Sequence, residues 1–479
     1  MLFNSLQFLI FFIIVTSLYF ALPPRYRSAM LLVSSCYFYM SFIPVYLPIL
    51  GVSILLGYVT GLILEKKPSN SRVALGLGII LVVSVLAFFK YYISYNGILI
   101  NFLYGTEKGS SPAASILLPV GLSFHTFQII SYMIEVKRKK IEPEKNFGIF
   151  SLYVLFFPQL VAGPIERPQN LIPQFREIHS FEFESFKQGV ILMAFGFFKK
   201  TVIADRLGIL VDASYNNVPE QTGASLMAAT FLYSLQLYID FSAYSEIAVG
   251  SAKIMGFRLT NNFNSPYFSR SITEFWTKWH ISLSTWLRDY LFLPVAYKTL
   301  RIVKHNFLRI KLEVWSYISA TMITMTIAGF WHGESWAFVI WGVIHGVYLI
   351  VSFIKGRVYK KLKIKVKQNT LTGIVKTSVT FSIVSFAWIF FRAGDLHKAE
   401  QILSRIFSAS IFALPVFNMN NAEFIFVVLL SAFVFVKEKL WPVIDTDSNL
   451  RFYIITFLLF IFSYLFGIFN QEQFIYFQF

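Results

Sequence analysis

The chain has 479 residues, of which 56% are hydrophobic and only 14% are charged, and its formal net charge is +17. A soluble globular domain carries about 25% charged residues, so this composition excludes a chain that covers its whole surface with water-facing side chains. In a soluble protein the positive charge would suggest nucleic acid as a partner, whereas in a membrane protein it is typical of cytoplasmic loops, and we expect no nucleic acid here.

Apolar segments follow one another along the whole chain, without a fixed repeat or a long linker. Several have the length of a membrane-spanning helix, which needs about 20 mostly apolar residues. The runs are continuous, whereas a transmembrane barrel would show alternating segments of about 10 residues. We therefore predict an all-α polytopic membrane protein in which residues 1–479 form a single domain. The roughly thirteen segments are 2–19, 28–43, 47–64, 73–91, 115–135, 147–161, 188–212, 224–250, 314–330, 336–354, 371–391, 422–436 and 452–469.

Basic residues between the segments predict the orientation of the chain. Arg25 is the first Lys or Arg, so we expect the N-terminus, and with it the C-terminus, on the exported side. The cluster 137–140 and the segment 355–367 are expected in the cytoplasm, because Lys and Arg accumulate in cytoplasmic loops. The segment 355–367 carries no acidic residue and is the strongest of these markers.

The charge pattern also predicts a segment that enters the membrane and returns. The basic stretches 137–140 and 298–311 are both expected inside, yet three apolar segments lie between them. Because three is an odd number, at least one of these segments cannot cross. Such re-entrant backbone is tolerated only where it is buried in protein or lines a cavity. Our candidate is 188–212, because Lys199 and Lys200 interrupt it.

Two histidines stand out because ionisable residues are costly inside membrane segments and often functional. His332 lies between two apolar segments, in Ala328-Gly-Phe-Trp-His-Gly333, and His280 lies in the stretch 274–290. We predict that 274–290 is one amphipathic helix, at the membrane surface or beside a cavity. A histidine between apolar helices is also often a packed core residue, so spacing alone leaves both roles open. Helical spacing places one group on the apolar face, namely Trp276, Trp279, Leu283, Trp286 and Tyr290.

The other polar residues favour more ordinary roles. We expect His345, on the helix after His332, to pack or to support its neighbours, and His125 to lie in a polar seam. Asp240 and Glu246 end an apolar run, where a clamp between helices is a more frequent role than a cavity wall. The sequence lacks a G-x-S-x-G elbow, a P-loop, an H-E-x-x-H pair and a dinucleotide-binding glycine pattern, so we expect neither a metal site nor a resident cofactor.

Four sequence blocks resemble the membrane-bound O-acyltransferase superfamily, and within it the bacterial branch typified by alginate O-acetyltransferase. They occur in the family's order, and the block around His280 is highly specific. The blocks are Phe156-Phe-Pro-Gln-Leu-Val-Ala-Gly-Pro-Ile-Glu-Arg-Pro168, Asp240-Phe-Ser-Ala-Tyr-Ser-Glu246, Phe275-Trp-Thr-Lys-Trp-His-Ile-Ser-Leu-Ser-Thr-Trp-Leu-Arg-Asp-Tyr290, and Gly329-Phe-Trp-His-Gly333 with Trp341-Gly-Val-Ile-His-Gly346.

The resemblance implies a fold and a site. The fold is a helical disc with a central tunnel, built from roughly 11–13 membrane segments including re-entrant ones, in the inner or plasma membrane. His332 falls on the family's catalytic histidine, and His280 on the second characteristic polar residue of the tunnel. We predict that His332 and His280 are the catalytic residues and that both line one continuous tunnel. Four further residues of these blocks are expected to contact substrate, namely Trp331, Trp279, Asp240 and Ser284.

The resemblance also implies the reaction. An acetyl group would pass from a cytoplasmic thioester, with acetyl-CoA as the expected donor, to an exported polysaccharide or to a GDSL-type partner acyltransferase. His332 would act as general base, because the ordinary pKa of histidine lies near the working pH. Three alternatives stay open: transfer of D-alanine or another acyl group to teichoic acid, a polytopic transporter, and a flippase or assembly subunit without chemistry of its own.

Overall fold

The computed structural model describes residues 1–66, 70–92, 121–160, 163–302, 311–364, 369–417, 419–442, 444 and 448–469. Each predicted apolar segment contains helix, because a continuous apolar run has to satisfy its backbone hydrogen bonds internally. No β-strand occurs in this part of the chain, and the predicted all-α class is confirmed. Five helices are long and apolar enough to cross a membrane, namely Tyr46–Lys66, Ser71–Tyr91, Trp336–Lys361, Thr370–Ala393 and Asn449–Phe466.

Contacts between residues group the chain into two compact units. Unit 1 comprises residues 1–193 and 244–260, and unit 2 comprises residues 194–243 and 261–479. The helices that begin in unit 1 are α1 Leu6–Ala21, α2 Pro24–Met40, α3 Tyr46–Lys66, α4 Ser71–Ala87, α5 Leu122–Lys137, α6 Phe147–Leu155, α7 Phe157–Leu160, α8 Pro168–Leu171 and α9 Phe183–Phe198. The helices that begin in unit 2 are α10 Asp205–Tyr215, α11 Gly223–Ile254, α12 Ile272–Lys278, α13 Ile281–Leu287, α14 Leu293–Ile302, α15 Leu312–His332, α16 Trp336–Lys361, α17 Thr370–Ala393, α18 Leu396–Ile406, α19 Asn421–Leu440 and α20 Asn449–Phe466.

The structure assigns the irregular membrane segment differently from the sequence. Between Phe183 and Tyr215 the chain is helical without a break, and Lys199–Ala204 forms a π-helix within it. The two lysines therefore widen one turn of a continuous helix and do not send the chain back. Our choice of 188–212 as the re-entrant segment was wrong.

The described part of the segment 147–161 contains only short helices. Helix α6 has nine residues, which corresponds to about 14 Å at 1.5 Å per residue. The hydrocarbon core of a bilayer is about 30 Å thick. At Phe156 the backbone leaves the helical region with ψ of 109°, and only the four-residue α7 follows. The segment 147–161 therefore becomes our candidate for the non-crossing segment that the charge pattern predicts.

In unit 2, α15 and α16 form a close hairpin. A Cβ atom added to Gly342 would lie 2.2 Å from the carbonyl oxygen of Met325, and one added to Gly329 would lie 2.3 Å from the carbonyl oxygen of Phe338. Only glycine leaves room for this approach, as at other helix crossings in membranes. Because the two backbones touch, the last residue of α15, His332, is brought against the first turns of α16.

The orientation of this hairpin can be tested by cysteine labelling. With Cys36 replaced by serine, a Lys361→Cys variant is expected to resist a membrane-impermeant maleimide in intact cells and to react after permeabilisation. Lys361 ends α16 in the basic segment 355–367, which is expected in the cytoplasm. A Phe412→Cys variant is the matched control. This exposed residue lies after α17 and α18 and is expected on the outside of the membrane. Labelling of Lys361→Cys in intact cells would reverse the predicted topology.

Candidate active site

His332 is buried at the end of α15 among aromatic rings. Its ring centroid lies 4.5 Å from that of Trp331, 5.0 Å from that of Trp341 and 4.9 Å from that of Phe391. The three contacts are edge-to-face, an arrangement that aromatic pairs favour. Only 5% of His332 is exposed. The imidazole is therefore fixed in orientation and shielded from bulk water, which suits a proton acceptor in an acyl transfer.

His280 lies at a break between two helices. Helix α12 ends at Lys278 and α13 begins at Ile281, and His280 between them has φ of 41° and ψ of 58°. This is the left-handed region, which histidine enters more readily than most residues but which cannot continue a right-handed helix. The prediction of one amphipathic helix over 274–290 was therefore wrong. Four residues of the apolar face are nevertheless buried, and the fifth, Trp276, is half-buried.

Hydrogen bonds from the preceding loop hold this turn. The backbone N–H of Ile281 donates to the carbonyl oxygen of Asn262 at 2.9 Å, and the Ser282 hydroxyl donates to the Asn262 side-chain oxygen at 2.6 Å. The N–H of Asn264 donates to the carbonyl oxygen of Lys278 at 3.1 Å. An unfavourable backbone conformation persists only where its surroundings impose it, and such positions are frequent at functional sites.

The His280 side chain is buried and neutral. Its ring meets the ring of Phe241 edge-on, with centroids 4.7 Å apart. Burial lowers the pKa of His280 to about 3, so the imidazole carries no charge near neutral pH. A neutral imidazole donates a hydrogen bond from one nitrogen and accepts one at the other. His280 can therefore bind a substrate hydroxyl or carbonyl group without placing a cation in the protein interior.

A chain of ring contacts connects the two histidines. Trp341, which touches His332, stacks on Trp388 with centroids 5.5 Å apart, and Trp388 contacts Trp279 at 5.3 Å. Trp279 directly precedes His280 in the sequence. The structure thus brings both histidine-bearing segments into one aromatic cluster. These contacts are between packed rings, so a substrate path has to pass beside them, and the shared tunnel stays a prediction.

The predicted substrate contacts have different surroundings. Trp331 touches His332, whereas Trp279 is enclosed in the core of unit 2. The Ser284 hydroxyl donates to the carbonyl oxygen of Trp279 at 2.9 Å, and the Ser284 N–H donates to the carbonyl oxygen of His280. Ser284 therefore supports the turn at the start of α13. That these residues contact substrate stays a prediction.

Asp240 belongs to a buried charged cluster that includes the two lysines of the π-helix. The Lys200 ammonium lies 2.9 Å from an oxygen of Asp240 and 2.8 Å from an oxygen of Asp205, and none of the three side chains is more than 7% exposed. Lys199 pairs with Glu438 at 3.0 Å. The lysine pair inside an apolar run was the only sequence signal for this cluster.

The cluster fixes the stretch of α11 that packs against the His280 turn. The Tyr238 hydroxyl donates to Glu438, and Lys199 donates to the Ser242 hydroxyl at 2.8 Å. Phe241, from the same stretch, is the residue whose ring meets His280. Asp240 therefore connects α11 to the π-helix through its ion pair with Lys200. The same ion pair holds the part of α11 that carries Phe241, the ring in contact with His280.

The first of the four sequence blocks lies in unit 1, where hydrogen bonds hold its loop. The Tyr153 hydroxyl donates to the Glu166 carbonyl oxygen at 2.9 Å, and the Thr260 N–H donates to the Glu166 carboxylate. Burial raises the pKa of Glu166. Gln159 donates to the Tyr153 carbonyl oxygen at 2.7 Å. Residues 161–162 of this block lie outside the described residues.

Comparison with known proteins identifies the family of the chain. Residues 79–391, which include both His280 and His332, match the model of the membrane-bound O-acyltransferase family. The chain is 34% identical over 431 residues to the "Probable alginate O-acetylase AlgI" of Azotobacter vinelandii, an alignment that covers 88% of this chain and 81% of the relative.

Two further relatives bear names of related activities. The peptidoglycan O-acetyltransferase of Helicobacter pylori is 31% identical over 459 residues, with 89% of this chain and 83% of the relative covered. The teichoic acid D-alanyltransferase of Streptococcus thermophilus is 28% identical over 319 residues, with 63% and 74% covered. The apolar helices, the buried histidines and these matches show that this chain is a multi-pass membrane enzyme that belongs to the membrane-bound O-acyltransferase family.

Proposed function

We propose that the protein transfers an acetyl group from cytoplasmic acetyl-CoA toward an exported polysaccharide of the cell surface, with His332 as general base. The observation that carries the proposal is the burial of His332 between Trp331, Trp341 and Phe391 at the end of a hydrophobic helix. The acceptor at this site is a hydroxyl group, either of the polysaccharide itself or of a GDSL-type partner acyltransferase that passes the acetyl group on.

The proposed reaction needs no covalent enzyme intermediate. A ring nitrogen of His332 takes the proton of the acceptor hydroxyl while its oxygen attacks the carbonyl carbon of the thioester. The tetrahedral intermediate then collapses, the carbon–sulfur bond breaks, and the thiolate of CoA receives the proton from the imidazolium. Products are the acetyl ester and free CoA, and His332 returns to its neutral form. A positioned base of this kind contributes a factor of about 10²–10⁴ to the rate.

The proposal assigns His280 to the substrate path rather than to proton transfer. Its imidazole is neutral, its backbone is held in the left-handed region, and Phe241 fixes its ring. These features suit a group that orients a substrate oxygen by a hydrogen bond. A neutral imidazole held in this way donates a hydrogen bond from one nitrogen and accepts one at the other, and the proposal leaves the proton transfer to His332.

The alignments favour acetyl transfer over its closest rival. Relatives named for O-acetylation align with 87–89% of this chain, whereas relatives named for D-alanyl transfer align with 60–63%. We therefore take the acetyl group as the transferred group and keep D-alanine as the outcome that would contradict this choice.

A deletion and complementation experiment tests the proposed function. Cells that lack the protein are expected to lose alkali-labile acetate from their exported polysaccharide, and the wild-type chain is expected to restore it. Vesicles that contain the purified protein are expected to consume labelled acetyl-CoA supplied on the cytoplasmic face when acceptor is present. Loss of alkali-labile D-alanine instead would support teichoic acid transfer. Unchanged esters together with no consumption of the thioester would contradict an acyltransferase of this specificity.

A further inference from the structure

Three rings of unit 2 form a closed triangle next to the proposed base. The ring centroid of His345 lies 5.0 Å from that of Trp341 and 5.2 Å from that of Trp276, and the two tryptophans are 6.1 Å apart. Trp341 is also the ring that meets His332 edge-on at 5.0 Å. The triangle, defined by Trp276, Trp341 and His345, is therefore separated from the base by a single side chain.

The polar atoms of this triangle are buried and lack partners. Both ring nitrogens of His345 and the indole nitrogens of Trp276 and Trp341 make no hydrogen bond to any of the described residues. His345 is fully buried and Trp341 is 1% exposed. Buried polar atoms in native proteins almost always have a partner, and an exception calls for an explanation such as a catalytic role or a bound molecule. We take four such atoms on three touching rings as the candidate site for one small ligand.

The chemistry of the triangle defines what it can bind. Each indole offers one N–H donor and no acceptor, and neutral imidazole offers one donor and one acceptor. The triangle itself contains neither a carboxylate nor an ammonium group. Such a set fits a small oxygen atom that accepts hydrogen bonds, and it does not fit the phosphates of CoA, which call for cationic side chains. The oxygen is that of a resident water molecule or of a carbonyl group.

We propose that Trp276, Trp341 and His345 receive the carbonyl oxygen of the acyl thioester and stabilise its negative charge during transfer. The inference rests on the proposed function, because it takes the attack assisted by His332 as the step that creates this charge. Donors aimed at a developing oxyanion in a site shielded from water are a large source of rate enhancement. His345, expected from the sequence to pack or support, thereby becomes part of the site.

The test removes the polar atoms and keeps the aromatic rings. Trp341→Phe and His345→Phe are expected to lower kcat by a factor of about 10²–10³, the usual effect of losing one oxyanion donor, while KM for acetyl-CoA changes less than about threefold. Trp336→Phe, at the exposed first residue of α16, is the control for the same substitution away from the triangle. His345→Gln keeps a donor and is expected to retain more activity than His345→Phe.

The unfolding temperature of the variants distinguishes a role in oxyanion binding from a role in core packing. Because replacing an unsatisfied polar side chain by an apolar one relieves a buried polar group, His345→Phe is expected to keep or raise the unfolding temperature in detergent. Wild-type kcat in both Trp341→Phe and His345→Phe would assign the triangle to packing or to a resident water only. A raised KM at unchanged kcat would also overturn the inference. If the triangle variants are active while His332→Ala is inactive, only this inference fails. If His332→Ala is fully active, the assignment of the base fails, and if the wild-type protein consumes no acetyl-CoA, the proposed function fails.

Discussion

Replacement of His332 by alanine is expected to lower acyl transfer by a factor of about 10²–10⁴, the usual contribution of a positioned base. The remaining rate would come from binding and from hydrogen-bond donors around the thioester. Insertion into the membrane should persist, because the α15–α16 hairpin is held by backbone contacts at Gly329 and Gly342. Ester acetate on the isolated polysaccharide and kcat of the purified protein are the measurements.

Two controls separate the chemistry of His332 from its packing. Alanine leaves a cavity among three aromatic rings, whereas His332→Gln keeps a polar side chain and removes only the base. Both variants are expected to be inactive. His397→Ala is the matched control on an exposed histidine, whose ring contacts Gln401 at 3.1 Å, and it is expected to keep full activity. Wild-type ester levels in His332→Ala would remove this residue from the mechanism.

Replacement of Lys200 by methionine is expected to destabilise the protein by about 3–5 kcal/mol, the usual cost of breaking a buried ion pair by removing one partner. The substitution removes the ammonium group that contacts both Asp205 and Asp240 in the interior. The measurement is unfolding of the purified protein in detergent. Since this cluster also holds the α11 stretch behind His280, activity should fall at temperatures at which the variant is still folded.

Lys187→Met is the matched control for this substitution. Lys187 pairs with Glu184 at 2.7 Å, but Glu184 is 49% exposed and becomes hydrated when its partner is removed. Exposed pairs contribute about 0–1 kcal/mol, so the control should unfold close to the wild type. An equal loss of stability in both variants would show that the lysine stems pack the protein and that the buried charges matter little.

The helices could be predicted from the sequence because the length and continuity of an apolar run decide them locally. The break at His280 could not be predicted in this way. Trp276, Trp279 and Leu283 keep helical spacing across the break, so the pattern of apolar residues does not register it. The backbone is set instead by Asn262, which bonds Ser282 twenty residues later in the chain. Tertiary hydrogen bonds overrode the local pattern at this position.

The candidate site was predictable only in part for the same reason. His332 was singled out by its place between apolar helices and by the resemblance of its motif. Lys199 and Lys200 were recognised as an interruption, yet Glu438 is 239 positions from Lys199, and nothing in the local sequence pairs them. The triangle around His345 forms because α16 packs against α12, the helix that contains Trp276. This contact depends on tertiary packing, and the spacing of residues in the sequence does not predict it.

The left-handed backbone of His280 limits which residues evolution can place there. Apart from glycine, only histidine, asparagine and aspartate enter this region with any frequency, and other residues lose about 1–2 kcal/mol. An alanine at this position therefore changes the preferred shape of the turn together with the side chain, and a simple alanine scan would attribute both losses to the imidazole. Glycine keeps the turn and removes the side chain, whereas asparagine keeps the turn and a polar group. Comparison of the glycine and asparagine variants therefore distinguishes the effect of the backbone conformation from the effect of the side chain at this position.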